Sequence, residues 1–67
     1  EFVVKASSEV NGELIRELDF PREASIGGVI RQGKGNIALG DFRIQEGDRV
    51  VVCCLPSAIP RIEKLFL

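Results

Sequence analysis

At 67 residues and a formal charge of −1, this chain is sized for one small domain and carries no charge excess to draw it to nucleic acid or a membrane surface. It has no histidine, tyrosine, tryptophan or methionine, which excludes Ser–His or Cys–His nucleophilic catalysis, and two cysteines alone cannot supply the four ligands of a zinc site. Four phenylalanines are the only aromatics, too few for a platform that stacks single strands.

In chain order, Phe2 to Lys5 reads as a short strand. Ser7, Ser8 and Asn11 are each candidates to cap a following helix. Val10, Leu14 and Leu18 recur at i, i+4 and i+8, one stripe of a helix, with Glu13, Arg16, Glu17 and Asp19 on its wet face. Glycine inside a helix costs about 1 kcal/mol, so Asn11-Gly12 argues against a start at Ser8. The spacing predicts a helix from Asn11 to Leu18, ended by Pro21.

Ser25 to Arg31 is the second expected strand. Gly27-Gly28 in its middle suggest a bulge, or a place where another backbone or a ligand comes close. The cluster Arg31-Gln32-Gly33-Lys34-Gly35-Asn36 reads as a turn, making a hairpin with a third strand, Asn36 to Leu39. Phe42 and Ile44 alternate with polar neighbours and are expected to tuck under the sheet. Glu46-Gly47-Asp48 is a turn in which glycine supplies φ > 0 and aspartate bonds nearby amides.

The fourth strand, Arg49 to Leu55, is apolar at every position from Val50 onward. It is therefore expected to be buried on both faces or to lie at an interface. Cys53 and Cys54 are adjacent, so their thiols diverge and cannot cross-link the fold; both are read as buried strand residues in a reducing compartment. With neither disulfide nor zinc, a second copy of the chain becomes the expected source of added stability. Pro56-Ser57 opens a terminal helix with Ser57 as cap and Pro60 in the first turn. Ile59, Ile62, Leu65 and Phe66 form its apolar stripe, and Arg61, Glu63 and Lys64 its wet face.

The order is β-α-β-β-β-α, without internal repeats. It argues for an α+β domain over residues 1–67, a mostly antiparallel sheet with two helices against it. The longest apolar run is far too short to cross a bilayer. The chain has no initiator methionine and opens inside a strand-like run, so it is expected to be a piece of a longer protein.

Little in the sequence carries chemistry. Gly27, Gly28, Gly33 and Gly35 match neither the Rossmann fingerprint nor a P-loop, and no helix follows them. Hairpin and bulge roles explain them. If a ligand approaches here, Arg31 can grip an anionic oxygen and Asn36 can read an adenine-like edge. The pair Glu46 and Asp48 sits on a turn, and no catalytic residue is identified.

The ordered set Phe2-Val3-Val4, Val10-x-Gly12-x-Leu14-x-x-x-Leu18-x-Phe20-Pro21, Ile26-x-x-Val29-Ile30-Arg31-x-Gly33, Asp41-Phe42-x-Ile44-x-x-Gly47-Asp48-Arg49-Val50-Val51-Val52 and Ile62-x-x-Leu65-Phe66 spans nearly the whole chain. It resembles the C-terminal subdomain of RCK proteins, the TrkA C-terminal domain. The resemblance implies a non-enzymatic regulatory module that senses a ligand and dimerises. It also implies a cytoplasmic setting, and control of an attached potassium channel or transporter as membrane partner, with neither nucleic-acid binding nor direct membrane insertion. Related modules occur in cation/proton antiporters and carboxylate-type transporters, so a purely structural dimerisation domain in such a transporter, or in a transcription regulator, is the alternative. No resident cofactor is implied within the chain. A nucleotide such as cyclic di-AMP is the implied ligand, and the matching site residues are Ile30, Arg31, Asn36 and Ile37. The Asn36–Leu39 stretch lacks a proline common in the family ahead of its Gly-Asp.

Overall fold

The computed structural model describes residues 1–67. Strands β1 (Phe2–Val3), β2 (Ala24–Arg31), β3 (Lys34–Asn36) and β4 (Arg49–Cys54) form one antiparallel sheet in the order β1-β4-β2-β3, and one helix, α1 (Ile59–Leu65), follows β4. The α+β class and the antiparallel sheet agree with the sequence reading. The number of helices does not.

The two β-branched runs take the centre. β2 and β4 pair from Ala24↔Cys54 to Ile26↔Val52, then from Gly28↔Val51 to Ile30↔Arg49. The register slips between Ile26 and Gly28, so Gly27 is the extra residue of the anticipated bulge. A Cβ at Gly27 or Gly28 would meet only ordinary contacts, at 3.7 and 3.5 Å. Gly27 sits at the bulge, and within the single chain no backbone comes unusually close to either glycine.

Side chains alternate across the sheet. Val29 and Val50 point into the core, with Ala24, Ile26, Val52 and Cys54 packed against it. There they meet Val4, Val10, Ile44, Ala58, Ile62 and Phe66. The Phe66 ring stacks on Phe2 at 4.9 Å and meets Phe20 edge-on at 6.5 Å. The opposite face carries Val3, Ile30, Val51 and Cys53, none of them buried. The expectation that β4 is buried on both faces therefore fails for the single chain: Val51 is half-buried, and Cys53 and Leu55 are exposed. Cys53 is likewise not the buried thiol that was expected, while Cys54 on the covered side is half-buried; both are free.

The predicted helix from Asn11 to Leu18 is absent. Only Ile15–Glu17 make a single 3₁₀ turn. The backbone here is spent on a distant segment. The Gly12 N–H donates to the Ile44 carbonyl (2.8 Å), and the Ile44 N–H donates back to the Glu13 carbonyl (2.9 Å). The Ile15 and Arg16 N–H groups donate to the carbonyls of Phe42 (3.0 Å) and Gly40 (2.9 Å), with Leu14 bridging Arg43. Gly12 adopts φ +84°, outside the helical region. Ser8 caps nothing: its hydroxyl accepts from the Lys5 N–H and donates to the Phe66 carbonyl, both at 2.9 Å, tying the N-terminal turn to the end of α1.

Smaller differences have local causes. β3 begins two residues earlier than expected and ends at Asn36, because the turn is only Gln32-Gly33. Ser57 provides no side-chain cap; a 3₁₀ turn over Pro56–Ala58 leads into α1. Ile62 and Phe66 are buried as the stripe predicted, whereas Ile59 is exposed.

Candidate functional site

The β2–β3 hairpin carries the residues singled out from the sequence. Its two central residues both have positive φ, 50° at Gln32 and 79° at Gly33, the conformation that matches the twist of paired strands. The pairs closing on it are Arg31↔Lys34, Ile30↔Gly35 and Val29↔Asn36. Arg31 and Asn36 thus share the face of buried Val29, and Ile30 points to the opposite face. The structure does not gather Ile30, Arg31, Asn36 and Ile37 into one pocket of the single chain. Ile30 lines a shallow polar depression of about 470 Å³ with Glu1, Gln32, Gly33, Gly47 and Arg49. Asn36 turns its amide nitrogen to the carbonyls of Lys34 (3.1 Å) and Val29 (3.4 Å). Ile37 leaves the end of β3 with 79% of its surface exposed.

Arg31 is engaged inside the domain. Its Nε donates to Asp48 Oδ1 and its Nη2 to Asp48 Oδ2, both at 2.8 Å, a two-point fork. Nη2 also donates to the Arg43 carbonyl at 2.8 Å, and the guanidinium lies 4.7 Å over the Phe42 ring. Asp48 is itself pinned, because its Oδ2 accepts the Gln45 N–H at 2.9 Å across the turn. Burial alone would push the Asp48 carboxyl up, but the hydrogen bonds from Arg31 and the Gln45 N–H, with the Arg31 charge, outweigh it and hold the carboxyl below its ordinary value. The bond to Asp48 raises Arg31 against the opposing effect of burial. Both groups are charged at neutral pH, and no buried side-chain nitrogen or oxygen lacks a partner.

Sequence reasoning missed Asp48, which looked like a turn residue and nothing more. A signal was present. Arg31 lies two residues beyond Val29, so it sits on the covered side of β2, where a charge needs a partner. Elsewhere an apolar hollow of about 240 Å³, lined by Ile15, Leu18, Phe20, Ala24, Ile26 and Ala38, opens where the chain after β3 leaves the sheet. No cluster of acidic, cysteine or histidine side chains is arranged to hold a metal, and no helix is long and apolar enough to cross a membrane.

Comparison with known proteins agrees with this architecture. A solved structure described as an RCK domain with cda superposes with a TM-score of 0.80 over 98% of this chain and 91% of that one, at 17% identity, a likeness of fold. Two curated relatives from Methanosarcina mazei, Trk system potassium uptake protein TrkA homologs 2 and 1, are 35% and 36% identical over 66 residues, 98% of this chain. A TrkA homolog from Archaeoglobus fulgidus is 31% identical over 64 residues. The chain spans only about 15% of the length of each of these three relatives. The TrkA-C domain family matches residues 1–67. With the sheet order, the terminal helix and the sequence likeness in agreement, this chain belongs to the TrkA-C domain family.

Proposed function

We propose that this domain is the regulatory, ligand-sensing and dimerising module of a potassium transport protein. It acts at the cytoplasmic side of the membrane on an attached channel or transporter, and residues 1–67 form one part of that longer protein. The observation that carries this reading is the uncovered sheet face. Val3, Ile30, Val51 and Cys53 lie there without being buried, at the edge of a hairpin that has Ile30 on this face, Arg31 and Asn36 on the other, and Ile37 just beyond β3. A second copy covers that face, its uncovered Val3, Ile30 and Val51 included, and a ligand held between two copies favours one relative orientation of the pair. That bias is what a gate can read, because a ligand shifts an equilibrium only by its differential affinity for the two states.

The ligand class is a nucleotide, with cyclic di-AMP as first candidate. A fold relative is described with cda, and the groups that the domain leaves without a protein partner, Asn36 Oδ1 and Arg31 Nη1, are suited to accept from a base N–H and to donate to an anionic oxygen. Calorimetric titration of the dimeric protein with cyclic di-AMP, AMP and ATP tests this. Heat with one of them, lost in Ile37→Asp, is expected. Silence with all three favours a second reading, a structural dimerisation module in another transporter or in a transcription regulator. The fork to Asp48 speaks for that second reading, because it commits most of Arg31 to the domain's own fold.

A further inference from the structure

Arg31 has five N–H donors in a rigid plane. Three are committed: Nε and one Nη2 hydrogen to Asp48, and the other Nη2 hydrogen to the Arg43 carbonyl. Nη1 bonds to no protein atom, yet it is not a buried orphan, since the domain has none. Solvent therefore reaches it, in keeping with a side chain 32% exposed. Three constraints fix its direction: the carboxylate fork along one edge, the Arg43 carbonyl at the adjoining corner, and the Phe42 ring against one face.

The carboxylate cannot follow the arginine outward. Asp48 is only 1% exposed, and the Gln45 N–H ties it to the turn. The order of causation runs from the turn to Asp48, from Asp48 to Arg31, and from Arg31 to whatever its free edge meets. A side chain already held in place loses little rotamer freedom on binding, and for a guanidinium that saving is a large part of its worth as a donor.

We propose that Asp48 is a positioning residue of the ligand site, holding Arg31 so that Nη1 alone is presented as a fixed donor to an anionic ligand oxygen. The matching chemistry is a phosphodiester or phosphate oxygen approached from one side, not one gripped by both arms of the guanidinium. This rests on the ligand-sensing reading given above.

The wild-type protein supplies the first test. Nitrogen-resolved NMR of the Arg31 guanidinium is expected to show separate Nη1 and Nη2 signals, because the fork blocks rotation about Nε–Cζ. Adding cyclic di-AMP moves the Nη1 signal and leaves Nη2 in place. The second test is calorimetry on Asp48→Asn, Arg31→Lys and the double variant, each first shown folded by circular dichroism. Asp48→Asn, which no ligand can touch, is expected to weaken binding at least fivefold. The double variant is expected to lose no more than Arg31→Lys alone, since the two residues act as one unit. Averaged Nη1 and Nη2 signals in the wild type, or a folded Asp48→Asn with unchanged affinity, overturns the proposal while the ligand reading stands. A wild-type dimer that binds none of the nucleotides overturns both. If Asp48→Asn does not fold, the wild-type spectra decide.

Discussion

Asp48 is the residue on which most of the chain's electrostatics turns. Its carboxyl is buried, doubly bonded to Arg31, and held below its ordinary value. A carboxyl whose folded value is depressed contributes stability that is fully present above its unfolded value, about 3.9, and that is lost as pH falls through the folded value. The denaturant midpoint is therefore expected to be flat from pH 7 to about 5 and to drop below about 4. Asp48→Asn should flatten that drop, and an unchanged acid limb in the variant would assign it to other carboxyls. Asp48→Ala leaves Arg31 without its partner and should cost about 2–4 kcal/mol in equilibrium unfolding. The lower end is favoured, because Arg31 is one third exposed and water takes over part of its solvation.

The turns and strands differ in how far local chemistry decides them. Gly12 and Gly47 adopt φ of +84° and +90°, yet a Cβ at either would meet nothing within 4 Å. Their replacement by alanine is opposed by backbone conformation alone and should cost about 1–2 kcal/mol each. Gly35 has equal space but no positive φ, so Gly35→Ala should be neutral or slightly stabilising; thermal melts of the three variants separate the cases. This contrast also explains what was readable in advance. The bulge at Gly27, the turn at Gly47 and the alternation of Val50, Val52 and Cys54 toward the core follow from local geometry, and sequence reasoning found the first two directly. The false helix at Asn11 to Leu18 shows the opposite. Its apolar spacing is real, but Gly12 N–H and Glu13 C=O bond to Ile44, more than thirty residues away, and no window of the local sequence contains that partner. The Arg31–Asp48 pair spans 17 positions and escaped notice for the same reason, although the strand parity of Arg31 hinted at it.

Across the whole molecule the core is small: eight buried apolar residues, all on one side of the sheet. A domain of this size buries only about 60% of its unfolded surface, so burying a second face has a large relative effect. The two cysteines report on that face independently, because one points to each side of β4. In the single chain Cys53 should react quickly with a thiol reagent and Cys54 slowly. In the proposed dimer Cys53 should become protected, and Val51→Lys should restore its reactivity and return a monomer in light scattering. Equal labelling of Cys53 at dilute and concentrated protein would rule out a dimer through this face.

The sheet order has a consequence for how the chain is made. β4 pairs with both β1 and β2, yet β4 is the last strand in sequence. Until residue 54 has left the ribosome, β1 has no neighbour and β2 has only the three-residue β3 to pair with. A lone hairpin is marginal in water, so the nascent chain is held as an open polymer until its centre arrives. Residues 49 to 54 then join two separate pieces, β1 and the β2–β3 hairpin, into one sheet. A chain broken off before β4 therefore lacks the strand that joins β1 to β2, and is expected to be cut far faster by a protease than the whole domain.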